Sequence, residues 1–194
     1  MKTYLKFLRK YENLLAKKSG LTITVSGLSG SGKSTVAREI AIFFELKLIN
    51  AGDLFRKYAR QKKMSLGEVS KFFPESIDYQ IDKMTLEAAQ KGGCVIVGRL
   101  SAWVTGGWAD CRIFVQSNKK IREKRIAQRD NLTISAARVN VNNRDKGDCS
   151  RYEKLYKINL KDKTIYNLII HNNKITLPKL KKEIIQRLKD FLKK

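Results

Sequence analysis

Leu21-Thr22-Ile23-Thr24-Val25-Ser26 runs directly into Gly27-Leu28-Ser29-Gly30-Ser31-Gly32-Lys33-Ser34-Thr35. The first segment is β-branched and apolar and predicts a buried strand. The second fits G-x-x-x-x-G-K-[ST] and opens a segment, Ser34 to Leu46, with helical character. Strand, glycine-rich turn and helix in that order form a phosphate cradle. Glycines let the turn aim its backbone N–H groups inward, and the helix N-terminus adds partial positive charge at the same point. Residues 27–35 are therefore the candidate loop for binding a nucleoside triphosphate. Lys33 is placed to bridge the terminal phosphates, and the Ser34 hydroxyl to ligate Mg²⁺.

Outward from this loop, apolar strand-like runs alternate with helical stretches. Leu48-Ile49, Cys94 to Val97, Ile113 to Val115 and Ile165 to Ile170 read as strands. Helices are expected over 53–62, 65–73 and 76–91, after Ser117 as cap, over 133–158 with a break near Gly147, and after Thr176 with Pro178 in the first turn. Ser65 and Glu68 have capping-box spacing. The alternation predicts an α/β fold: a central parallel sheet flanked by helices. The strandless stretches 51–91 and 130–160 read as helical insertions on a single domain spanning 21–194. Tyr4, Phe7, Leu8, Tyr11, Leu14 and Leu15 give residues 1–20 the beat of an added amphipathic, basic helix.

The 194 residues carry 41 Lys and Arg against 18 Asp and Glu, a net charge of +23. Such a charge favours polyanionic partners. Lysine dominates the two ends, whereas half of the twelve basic residues between 117 and 157 are arginine. No run approaches the roughly 18 apolar residues of a membrane span, and the charged first 20 residues lack the apolar centre of a secretion signal. A cytoplasmic protein without a membrane partner is the expectation, with a monomer as the expected state. Cys94, Cys111 and Cys149 lack metal-ligand spacing and read as reduced thiols. His171 is given no role.

The cradle alone leaves three classes open: a small-molecule kinase, a GTPase and an ATPase motor. No N-K-x-D segment for reading guanine is present. The 94–97 strand ends in Gly98-Arg99 rather than in paired acids that would activate water. A cation there suits a second phosphate. Arg56, Arg99, Arg125, Arg129, Arg144 and Arg151 fall on four different elements, and arginine meets phosphate oxygens bidentately where a transition state concentrates negative charge. Arg125 and Arg129, four apart, share one helix face.

Four segments, Gly27 to Thr35, Asn50 to Arg56, Val97 to Leu100 and Ala109 to Val115, resemble the nucleoside monophosphate kinases. Arg144-Asp145-x-x-Asp148-x-x-Arg151 with Tyr152 and Tyr156 is similar to a segment of the archaeal-type cytidylate kinases. The resemblance covers about residues 21–192. It implies a P-loop kinase fold with a monophosphate-binding insertion (51–91) and a lid (130–160). It also implies ATP with Mg²⁺ as donor and CMP, with dCMP, as acceptor. By the same resemblance Lys33, Arg99, Arg144 and Arg151 would be catalytic. Gly52, Arg56, Arg99, Asp148 and Arg151 would bind the acceptor, with Arg144 and Asp148 near its ribose or phosphates. Arg125 and Arg129 would lie on the triphosphate side, and Asp78 and Asp82 are candidates to accept from a cytosine amino group. The chain departs from the family pattern at Asn50-Ala51, where serine is common. An AMP or UMP acceptor is the neighbouring alternative. An RNA- or ribosome-associated ATPase using the basic ends is the alternative from another class, and a true kinase with a secondary nucleic-acid contact would share those ends.

Overall fold

A computed structural model describes residues 20–66, 68, 69, 74–173 and 176–193. The expected helix within 1–20 lies outside the described residues. In chain order the elements are β1 (Thr22–Ser26), α1 (Lys33–Phe43), β2 (Lys47–Asn50), α2 (Gly52–Gln61), α3 (Glu75–Lys91), β3 (Cys94–Val97) and α4 (Ser101–Thr105). They continue with a 3₁₀ turn, β4 (Cys111–Gln116), α5 (Lys119–Asp130), α6 (Ile134–Tyr156), β5 (Leu168–His171) and α7 (Leu177–Leu192).

The five strands order as β2-β3-β1-β4-β5. All four pairings are parallel, with Ile23 opposite Val95 and Cys111. Every residue of β1 and β3 is buried, as parallel strands covered on both faces require. On one face Ile23, Val25, Val95, Ile113 and Ile170 pack against Val36, Ile40, Leu180, Ile184 and Leu188 of α1 and α7. Toward the other face, Thr22 donates to the Ala89 carbonyl at 3.5 Å and Ser26 bonds Ser101 at 3.0 Å, joining β1 to α3 and α4. Because β1 connects to β2 on one side and β3 then crosses over to β4 on the other, the C-terminal end of β1 is a topological switch point. That is where α/β sheets bind ligands.

The sheet matches the sequence expectation closely. The second strand runs 47–50 and the last 168–171. The expected break near Gly147 is absent: α6 is continuous from Ile134 to Tyr156. One glycine costs a helix about 1 kcal/mol. Burial of Ala137, Val141, Tyr152, Leu155 and Tyr156 along that helix outweighs it. Ser117 does not cap α5, whose N-cap is Asn118. Its hydroxyl instead donates to the Ser31 carbonyl at 3.1 Å and to that of Asn172. The capping box forms as expected: Ser65 N donates to Glu68 Oε2 at 2.8 Å and Glu68 N to Ser65 Oγ at 3.2 Å. Cys94 and Cys111 are buried and Cys149 half-buried, all unbridged. Among the described residues no helix is long and apolar enough to cross a membrane.

Candidate active site

The glycine loop is held from outside by a network the sequence does not announce. Gly30 and Gly32 adopt φ of 74° and 91°, left-handed values that favour glycine. A Cβ on Gly30 would lie 2.7 Å from the Arg122 carbonyl, and one on Gly32 2.2 Å from Asn172 Nδ2. Arg122 Nη1 donates to the Ser29 carbonyl at 3.0 Å and lies 2.9 Å from Asp145 Oδ2. Asn172 Nδ2 donates to the Ser31 carbonyl at 2.9 Å. Arg125 donates to the Ser31 carbonyl at 3.3 Å, the Asn172 carbonyl at 3.1 Å and Asn172 Oδ1 at 3.1 Å. Arg125, expected on the triphosphate side, thus braces the loop from behind. Arg129 pairs with its neighbour Asp130 on the surface at 2.7 Å.

Lys33 reaches back to the Leu28 carbonyl at 3.3 Å. Burial, and then the charges of Arg99, Arg144, Arg129 and Arg56, hold its ammonium well below the ordinary lysine value. Five cations, on α1, α2, the turn after β3, α5 and α6, thus lie close enough to influence one another, a charge concentration that suits a polyanion.

Beside it lies a narrow cavity of about 50 Å³ lined by Gly52, Phe55, Asp78, Asp82, Arg99, Ser101, Arg144, Asp148, Arg151 and Tyr152. Arg99 comes from the end of β3, with its side chain 7% exposed. It pairs with Asp148 of α6, and its Nε and Nη2 make no hydrogen bond among the described residues. Arg144 and Arg151 flank the same carboxylate: Arg144 Nε is 3.9 Å from Asp148 Oδ2, and Arg151 Nη2 is 2.9 Å from Oδ1. Phe55 of α2 lies under both guanidinium groups, 4.8 Å from Arg144 and 5.5 Å from Arg151. Such cation–π contacts orient a guanidinium plane without neutralising it. Burial and then Arg99 push Arg144 down to about 9, which leaves it charged at neutral pH. Burial opposes the charge of Arg151 too, but Tyr152, Asp148 and Asp78 hold its pKa above the ordinary value.

At the far end of the cavity are two carboxyls. Asp78 Oδ2 lies 3.0 Å from Arg151 Nε. Asp82 accepts the Tyr156 hydroxyl. Burial raises both to about 7; Arg151 opposes the shift at Asp78, and Tyr156 opposes it at Asp82.

The structure thus gathers Lys33, Arg99, Arg144, Arg151, Asp78, Asp82 and Asp148, which the sequence spreads over some 120 positions. Gly52 lines the cavity floor beside Asn50, whose Oδ1 accepts from the Gly52 N–H at 3.2 Å. Arg56 is paired with Asp53 and partly exposed, and it does not line the cavity. Sequence reasoning missed Arg122, Asn172 and the ring of Phe55. Arg122 shares a helix face with Arg125 and Arg129, a readable signal. Asn172 has none, because its role depends on β5 lying beside β4. Ser34, at the first turn of α1, is exposed. Among the described residues no cluster of three or more His, Cys, Asp or Glu forms a metal cage.

Comparison with known proteins bears on the family and the fold. Residues 22–174 match the cytidylate kinase-like family. A cytidylate kinase of Staphylothermus marinus is 38% identical over 175 residues, 89% of this chain and 99% of that protein. A cytidylate kinase of Thermococcus kodakarensis is 41% identical over 157 residues, 79% of this chain and 80% of that protein. Among solved structures, a shikimate kinase from Bacteroides thetaiotaomicron superposes with a TM-score of 0.60 at 14% identity, covering 90% of this chain and 99% of that one. A gluconokinase from Sinorhizobium meliloti gives 0.59 at 13%, covering 91% and 96%. These two likenesses establish the P-loop kinase fold alone. With a family match over most of its length and a site of converging arginines beside a glycine cradle, the chain belongs to the cytidylate kinase-like family.

Proposed function

We propose that the protein transfers the γ-phosphoryl group of ATP to CMP, and to dCMP, giving ADP and the diphosphate. The observation that carries this reading is the convergence of Arg99, Arg144 and Arg151 on one cavity beside Lys33. The unpaired Nε and Nη2 of Arg99 are donors suited to the acceptor phosphate. Residues 27–35 would hold the donor's phosphates through backbone N–H groups, and Arg56 and Arg129 would add charge from the rim. A phosphate oxygen of the acceptor attacks the γ-phosphorus in line. It is already ionised, so no general base is required. Lys33 and the arginines neutralise the charge that accumulates in the transition state.

Magnesium fits the donor set. Ser34 offers one hydroxyl oxygen near the cradle, and Mg²⁺ is commonly held by few protein oxygens together with phosphate and water. When bound it would supply charge neutralisation on the polyphosphate. Asp148 and Arg144 would meet the ribose side of the acceptor, and Asp82 with Asp78 the base.

A cavity of about 50 Å³ is well below the roughly 300 Å³ at which ligand pockets begin. CMP therefore requires α2–α3 and α6 to part, and their return would exclude water from the transfer. The same reading makes the protein a cytoplasmic monomer, with any contact of its basic ends with nucleic acid secondary to catalysis.

The test is ADP release measured by a coupled assay with CMP, dCMP, UMP and AMP, with and without Mg²⁺. Turnover greatest with CMP and dCMP and dependent on Mg²⁺ is expected. ATP hydrolysis that is stimulated by RNA and indifferent to CMP would overturn the proposal.

A further inference from the structure

We infer that the Tyr156 hydroxyl sets the preference for cytosine over uracil by fixing Asp82 as a hydrogen-bond acceptor. This rests on the proposed CMP acceptor and adds a positioning residue outside the cavity wall.

Asp82 and Tyr156 come from different helices, α3 and α6, and are 5% and 2% exposed. The Tyr156 ring is locked between two others, edge-on to Tyr79 at 6.0 Å and stacked with Tyr152 at 6.4 Å. Leu86, Leu155 and Ile158 pack in the same cluster. The hydroxyl has little freedom, and it spends its proton on Asp82 Oδ2. The groups that face Asp82 are Asp78 and Tyr79 from its own helix and Tyr156 and Arg151 from α6. Asp82 lines the cavity; Tyr156 does not.

The two pyrimidines differ at one edge. Cytosine presents an amino donor at N4 and an acceptor at N3; uracil presents an acceptor at O4 and a donor at N3. A neutral carboxylic acid serves both, because it can donate through its O–H and accept through its C=O in either order. A carboxylate only accepts. It accepts a hydrogen bond from the cytosine N4 amino group and repels uracil O4. The discrimination therefore lies in the protonation state of Asp82. Burial favours the neutral acid, as does the charge of Asp78. Tyr156 opposes both by donating to the ionised form, with Arg151 contributing in the same direction. The Tyr156 proton also occupies Oδ2, which leaves Oδ1 to meet the exocyclic amino group.

The test compares kcat/KM for CMP and UMP in the wild type, Tyr156→Phe and Asp82→Asn across pH 5.5–9, with Mg·ATP saturating. The wild type is expected to prefer CMP above neutral pH and to lose part of that preference in acid. Tyr156→Phe keeps the ring and removes the donor. It is expected to lower the CMP/UMP ratio by at least about tenfold at pH 7.5, the worth of one hydrogen bond to a charge. It should also shift the pH at which preference is lost to a higher value. In Asp82→Asn, Tyr156 holds the amide oxygen and the NH₂ faces the base, so the ratio is expected to move toward UMP independently of pH. A merely structural role for Tyr156 would lower both substrates equally and leave the pH profile in place; that result overturns the inference. If no variant, wild type included, phosphorylates either pyrimidine, the proposed acceptor itself fails, and the two failures are thus distinguishable.

Discussion

Arg99 at the end of β3 and Asp148 in the middle of α6 form an ion pair whose side chains are only 7% and 2% exposed. The pair joins the end of the sheet to the helix that carries Arg144 and Arg151. Its members compensate each other's desolvation, since an isolated buried charge is far costlier than a paired one.

Replacing Arg99 separates catalysis from folding. Arg99→Lys keeps a charge near Asp148 but loses the planar fork. It is expected to reduce kcat about 10²-fold with a small change in melting temperature. Arg99→Ala should cost up to about 3 kcal/mol of stability in addition, because Asp148 loses one of its cations. Steady-state kinetics and urea denaturation of the two variants check both effects.

Lys33 is destabilised where it stands, by burial and by four arginine charges. Lys33→Ala is therefore expected to lower phosphoryl transfer at least about 10²-fold while raising the melting temperature of the ligand-free protein. A coupled ADP assay and thermal denaturation read the two effects. Full activity in this variant would refute the assigned role of the lysine.

Asp78 and Asp82 both titrate near 7 in the folded chain, against about 3.9 when unfolded. Between those values the folded state binds more protons than the unfolded state. Stability contributed by the neutral acids is thus fully present at low pH and falls as pH rises from about 4 to about 7. Asp82→Asn has no such loss. Its melting temperature relative to wild type is expected to be more favourable at pH 8 than at pH 5, measured in matched ionic strength.

Asn172 holds the Ser31 carbonyl and receives Arg125. Asn172→Ala leaves both partners short of a bond in a buried setting, at a cost of about 1–3 kcal/mol. The KM for ATP is expected to rise more than that for CMP, because the damage lies behind the donor loop. Equal rises would show that Asn172 acts on the whole fold.

The sequence by itself determined the parallel α/β sheet and the cradle at 27–35, and it singled out Arg99, Arg144 and Arg151, which line the cavity. These rest on local causes: β-branched runs, glycines where φ is positive, and helix faces whose spacing a reader can count. It missed the continuity of α6 through Gly147 and the true work of Ser117, because burial along a whole helix and a pull from the glycine loop outweigh local preferences. Only the tertiary structure decided that Asp148 sits among three arginines, that Arg125 braces the loop from behind while Arg56 stays off the cavity wall, and that Tyr156 meets Asp82. Such contacts join β3 with α6, α5 with β5 and α3 with α6. The desolvation and charge coupling that give those side chains their properties arise only once the sheet order brings the elements together.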